Sequence, residues 1–139
     1  DSWALGAKLF SKQLPPPMPY GAICIDMVGD KELTLPIEVN SYLQARDLVF
    51  DIWGLAKELG YSEFEMRMGI PIIDDHFVFY NQTKIPSIDI IDFNYPNTDI
   101  NYWHTIEDTP DKCSAKSLEV VGTVLINYLY RLDLGINDK

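Results

Sequence analysis

Positive charge is scarce in this chain of 139 residues: eleven lysines and arginines stand against twenty-one aspartates and glutamates, for a formal net charge of −10. No Lys/Arg cluster is present to neutralise phosphates, so nucleic acid is not expected as a partner. Carboxylates are spread along the chain, which reads first as a solvated acidic surface and second as a hard-cation site. Cysteine is equally sparse. Cys24 and Cys113 form no CxxC pair and have no histidine at zinc-finger spacing, so they carry little redox or metal signal. No apolar run approaches the roughly 18 residues that cross a bilayer, so no membrane span is expected. No signal peptide is visible either; if the parent protein is exported, its signal is expected outside this segment. His-Glu-x-x-His spacing is missing, and so are the Gly-rich phosphate loop and the Gly-x-Ser-x-Gly elbow, which takes most of the weight from nucleotide-binding and serine-hydrolase readings.

What remains is an ordinary globular composition, 47% apolar and 23% charged, at a length suited to one domain over residues 1–139. Ser2 is placed to cap a helix over Trp3 to Gln13, which the prolines between Leu14 and Pro19 end. Tyr20 to Val28 reads as a buried strand whose one charge is Asp26, and Glu32 to Val39 alternates as a half-exposed edge strand around Pro36. Asn40 or Ser41 is expected to cap a long helix from Tyr42 to Leu59, with Gly60 as its C-cap.

Phe64 to Met68 reads as a short strand, followed by a turn into Ile72-Ile73-Asp74-Asp75-His76. Ser87 to Phe93 reads as a core strand with a charged end, and Asn94 to Asn101 as a loop. Ser114 or Ser117 caps a last helix to about Leu132, with Leu118, Val121, Leu125, Leu129 and Leu132 expected on its buried face. Alternating helices and strands predict an α/β fold with a mostly parallel (mixed) sheet flanked by helices.

Only two histidines occur, and one lies in Asn101-Tyr-Trp-His-Thr-Ile-Glu-Asp-Thr-Pro-Asp-Lys-Cys113 among a tryptophan, hydroxyls and acids. Locally, His104 reads either as a structural histidine bonded to a backbone carbonyl or as a metal ligand. Asp26 and Asp74-Asp75-His76 also fall where strands end, and in open α/β sheets ligands bind where such loops converge. An acid at the end of a buried strand needs a partner, so Asp26 is expected to be paired, hydrogen-bonded or metal-bound. Asp and His from distant loops suit a catalytic zinc site, although a turn in which one Asp caps backbone amides explains the triplet alone equally well.

Four motifs in order, Ile25-Asp26-Met27-Val28-Gly29-Asp30, Asp74-Asp75-His76, Ile85-Pro86-Ser87-Ile88-Asp89-Ile90-Ile91-Asp92-Phe93, and Tyr102-Trp103-His104-Thr105 with Asp108 to Lys112, resemble the C-terminal half of the M28 family. That family holds zinc aminopeptidases and the related animal-type glutaminyl cyclases, and the resemblance runs from about Asp1 to Leu132. It implies that His104 ligates zinc, and that Asp26 either ligates a second zinc, as in two-metal peptidases, or serves as a hydrogen-bonding acid, as in single-zinc cyclases. It further implies Asp75 as the active-site carboxylate, and Trp103, with Asp74 and His76, as parts of the substrate pocket. The sequence departs from the family at Phe77-Val78-Phe79 and at Lys84, which bears on the pocket loop rather than on the metal.

The remaining zinc-binding acids and the catalytic glutamate of the family would lie upstream. The chain is therefore expected to be a C-terminal fragment that binds zinc weakly, one or two ions belonging to the complete protein, and turns over little alone. The first functional expectation is a fragment of a zinc-dependent exopeptidase removing N-terminal amino acids from peptides; the second is a glutaminyl-peptide cyclotransferase, and the third a non-catalytic interaction fragment. Self-association through exposed sheet edges is expected, and the family resemblance implies a secreted or periplasmic parent.

Overall fold

The computed structural model describes residues 3–135. In chain order the elements are α1 (Leu5–Phe10), β1 (Ala22–Asp26), β2 (Leu35–Ile37), α2 (Val39–Gln44), α3 (Arg46–Glu58), β3 (Phe64–Met68), α4 (Asp75–Thr83), β4 (Ser87–Ile91), a 3-10 turn (Pro110–Lys112) and α5 (Ala115–Asp133). Strand pairing is parallel: β1 with β4, Ala22 opposite Ser87 through Asp26 opposite Ile91, and β2 with β3. The class is α/β, with parallel strands and covering helices, as expected. No helix among the described residues is long and apolar enough to cross a membrane.

Apolar residues at helical and strand periods close one core. Val49, Ile52, Trp53 and Ala56 of α3 meet Leu35 and Ile37 of β2, Phe64 of β3, Ile88 and Ile90 of β4, and Val120, Val121 and Val124 of α5. Trp53 is fully buried, donates its indole N–H to the Leu35 carbonyl at 2.9 Å, and meets Phe64 edge-on at 5.3 Å. That contact couples α3 to both β2 and β3 and satisfies the polar atom that a buried indole brings.

Several expectations change in the folded chain. Ser2 lies outside the described residues, and α1 starts after Ala4 with no side-chain cap. The strand expected over Tyr20 to Val28 is only Ala22–Asp26 and is not buried: Ile25 is 48% exposed and Asp26 is exposed, because β1 pairs with β4 on one edge alone. The expected helix from Tyr42 to Leu59 is two helices, broken at Ala45 (φ −152°, ψ 50°). Its cap is neither Asn40 nor Ser41. Glu38 accepts from the Asn40 and Ser41 amides and starts the helix three residues earlier, which leaves Leu43 75% exposed.

Asp74-Asp75-His76 opens a helix rather than a turn. Asp74 is the N-cap of α4, its carboxylate accepting from the Asp75 amide, and His76 and Phe79 supply the buried stripe three residues apart. On α5 the buried face is rotated: Ser117, Val120, Val121, Val124 and Tyr128 are buried, whereas Leu118 and Leu129 are exposed. Ser117 turns inward because its hydroxyl donates to the Asp30 carbonyl.

Candidate active site

The carboxyl ends of β1 and β4 point to the same side, as parallel pairing requires, and the loops that leave them meet over a cavity of about 410 Å³. Asp26 from the end of β1, Asp74 from the cap of α4, and Trp103 and His104 from the loop after β4 all line it, with Ile91 and Phe93 as apolar wall. His104 adopts the left-handed backbone region (φ 58°), uncommon for a residue with a Cβ. Its exposed ring stacks on the Trp103 indole at 4.1 Å, and Trp103 rests on Phe93 at 5.2 Å. A donated hydrogen bond from the Trp103 amide to Asn101 holds the loop at 2.8 Å. The two rings thus limit each other's rotation while the imidazole nitrogens stay accessible.

Asp26 accepts from the Met27 amide at 2.9 Å and has its pKa raised, by burial first and by the Asp74 charge next, with the Met27 bond and His104 acting the other way. Asp74, Asp75 and His104 thus all act on Asp26 through their charges. Asp75, the neighbour of Asp74, is exposed and faces elsewhere: with His76 and Cys24 it lines a separate apolar cavity of about 680 Å³ under α1 and the proline segment. It is Asp74 that shares the cavity with Asp26 and His104. His76 is buried, with Nε2 3.0 Å from a Glu38 oxygen and Nδ1 3.5 Å from an Asp89 oxygen.

Asp89 and Glu38 were not singled out by the sequence reading. Asp89 is fully buried in β4, opposite Cys24 of β1, and the donor atoms of Cys24, Asp74 and Asp89 lie within 4.8 Å of one another. The signal for Asp89 was present as one charge inside Ser87-Ile-Asp-Ile-Ile91, a segment buried at every position. Burial pushes the Asp89 carboxyl up to about 7 against the opposing pull of His76, and burial also lifts the Cys24 thiol well above its ordinary range, with Asp89 as the next cause. For Glu38 burial acts upward, but bonds from His76, Ile72, Asn40 and Ser41 outweigh it and hold its carboxyl low.

These shifts give a pH dependence with a definite sign. The folded chain holds the Asp89 proton up to about pH 7, the unfolded chain only to about 3.8, so the folded state binds the extra proton between them. That contribution is full below the lower value and is lost as pH rises through the upper one. Asp92, raised to about 6 by burial despite bonds from Thr34 and Asn94, acts in the same direction. Urea denaturation is expected to become easier between about pH 5 and pH 8, and Asp89→Asn to flatten the slope. Stability that climbs over this interval would contradict the assignment.

Residues 1–129 match the profile described as Peptidase family M28. Among solved structures, the Porphyromonas gingivalis glutaminyl cyclase is 31% identical with a TM-score of 0.85, and the match covers 94% of this chain and 49% of that one. Tannerella forsythia glutaminyl cyclase is 30% identical (TM-score 0.85; 100% and 47% covered). A Zn-dependent exopeptidase from Parabacteroides distasonis is 33% identical (TM-score 0.83; 94% and 46% covered). No curated protein sequence matches significantly. The fold is that of zinc exopeptidases and glutaminyl cyclases, and the chain spans about half the length of the structures it resembles. It belongs to the M28 peptidase family.

Zinc is the metal of such exopeptidases, and two donors of suitable chemistry face the cavity: the accessible imidazole of His104 and the Asp26 carboxylate. Imidazole nitrogen and carboxylate oxygen are ordinary zinc ligands, but a catalytic site takes three protein ligands. These two fit zinc as part of a set.

Proposed function

We propose that this chain is the C-terminal half of a zinc-dependent glutaminyl-peptide cyclotransferase, which closes an N-terminal glutamine into a ring with loss of ammonia. The observation that carries the reading is the acid cluster: Asp26, whose pKa is raised, sits beside Asp74 on the cavity wall and Asp89 lies behind them. Burial first and the Asp74 charge next raise the Asp26 carboxyl, and burial holds the Asp89 carboxyl up to about 7, which suits groups that take and return protons near neutral pH. Relatives named as glutaminyl cyclases support the same reading.

In this reading His104 is a zinc ligand and Asp26 a hydrogen-bonding acid. Bound zinc supplies Lewis-acid polarisation of the glutamine side-chain carbonyl. Asp26 and Asp74 take the proton that the attacking α-amine loses as its nitrogen bonds to the side-chain amide carbon. The same carboxyls return a proton to the departing amide nitrogen, which leaves as ammonia. Phe93 and Trp103 wall the cavity against water and fit an uncharged side chain. Asp75 lines the neighbouring cavity and acts on Asp26 through its charge.

The second reading is the exopeptidase, in which Asp26 ligates a second zinc and activated water releases the N-terminal amino acid; the accessible Asp26 carboxylate and the Parabacteroides relative favour it. The complete protein carrying this segment decides between them when given an N-terminal glutamine peptide and an aminoacyl amide. Ammonia and a cyclised peptide without free amino acid are expected. Release of free amino acid overturns the cyclase reading.

A further inference from the structure

Behind the cavity lies a set of polar side chains that proton transfer at its wall does not by itself require. Glu38, Ser41, His76 and Asp89 are all buried, none more than 2% exposed. Glu38 already spends its carboxylate on capping α2 and on the Ile72 amide, yet one of its oxygens also receives the Ser41 hydroxyl at 2.7 Å and faces His76 Nε2 at 3.0 Å. From there two routes lead to the same residue. Ser41 Oγ accepts from the Asp89 amide at 2.8 Å, and His76 Nδ1 faces the Asp89 carboxylate at 3.5 Å.

Ser41 thus ties the Asp89 main chain to Glu38, while the His76 ring lies between Glu38 and the Asp89 carboxyl without a hydrogen bond to the latter. On its other side Asp89 approaches Cys24 and Asp74, the latter on the cavity wall, while neither Asp89 oxygen has a close hydrogen-bond partner among the described residues. A buried ionic set of this kind adds little stability compared with apolar packing of the same volume, because desolvating the charges offsets their attraction. Only acceptors face the two ring nitrogens, a Glu38 oxygen at Nε2 and an Asp89 oxygen at Nδ1. The chain runs from the core to the cavity.

We propose that Glu38, Ser41 and His76 fix the buried Asp89 carboxyl behind Asp74, making His76 a positioning residue for the acids that move protons in the cavity. This rests on the cyclase reading for its kinetic consequence and on geometry alone for the coupling. His76→Gln carries both of its N–H donors on one nitrogen, whereas the imidazole meets the two carboxylates from two separate ring nitrogens. In the complete zinc-loaded protein it is expected to lower kcat by about tenfold to a hundredfold, the scale of a misplaced catalytic group, with KM within about threefold and zinc content unchanged. Unchanged kcat per folded molecule, with only a lower melting temperature, would assign His76 to stability alone and overturn the proposal.

A spectroscopic arm is independent of both turnover and the folding of that variant. Asp26→Asn, at the carboxyl end of β1 and outside the Glu38, Ser41, His76 and Asp89 set, is expected to move the imidazole ¹⁵N resonances of His76. Unmoved resonances overturn the coupling. Should the product assay favour free amino acid, the cyclase reading fails while these resonances still decide whether His76 senses the cavity acids.

Discussion

His104→Asn in the complete protein is expected to lose bound zinc and to reduce kcat/KM by about a thousandfold. Asparagine is the informative replacement because His104 sits at φ 58°, a backbone region that Asn tolerates and alanine does not favour, so the loop keeps its path while the imidazole is removed. The magnitude follows from the several kcal/mol of charge stabilisation that a Lewis-acid metal provides, each 1.36 kcal/mol being a factor of ten in rate. Metal analysis of the purified variant and steady-state kinetics read the two effects separately. Full zinc occupancy with unaltered kcat/KM would return His104 to the other reading that the local sequence leaves open, a structural histidine. Trp103→Ala is a useful companion, since it removes the 4.1 Å stacking partner without touching a ligand atom.

The second large effect concerns the frame rather than the chemistry. Trp53→Ala is expected to destabilise the fold by about 3–5 kcal/mol from the lost side chain and the cavity it leaves, a large share of the roughly 5–15 kcal/mol that holds a domain together. The Leu35 carbonyl would lose its indole donor, and leaving such a group unsatisfied in the core costs about 1–3 kcal/mol more. Because Trp53 joins α3 to β2 and β3, the damage extends to Glu38, which follows β2 and holds His76. Trp53→Phe retains most of the ring packing against Phe64 and loses chiefly the hydrogen bond, so it is expected to cost far less. Urea denaturation followed by circular dichroism distinguishes the pair; equal midpoints for Trp53→Ala and the parent would refute the assignment of Trp53 as the core's main strut.

Most of the elements were legible in the sequence because their apolar periods are local. The strands Phe64–Met68 and Ser87–Ile91 and the helix Ala115–Asp133 fall close to where alternation, continuous apolar runs and a Ser cap place them. The early start of the second helical segment was hidden because its cap, Glu38, is a residue whose usual place is inside the helix, and its carboxylate is held by Ile72 and His76 arriving from elsewhere. The rotation of α5 was hidden for a similar reason. Leucines look buried in any window, but the hydroxyl of Ser117 has its partner at Asp30, 87 residues away in sequence.

By itself, the sequence determined the α/β class and, through the resemblance that four ordered motifs carry, the family; three of those motifs supply Asp26, Asp74, Trp103 and His104. Residue type placed imidazole and carboxylate at strand ends, and the family resemblance implied the role of each. Only the tertiary structure decided which member of Asp74-Asp75 faces the cavity, because Asp74 is the extended N-cap of α4 and Asp75 its first helical residue, and the two line different cavities. It alone also decided that His76 points into the core towards Glu38 and Asp89, and that Asp89 stands behind the acids of the site. Charges in a buried strand and a helix cap become one cluster through parallel pairing and packing, and neither leaves a periodic trace along the chain.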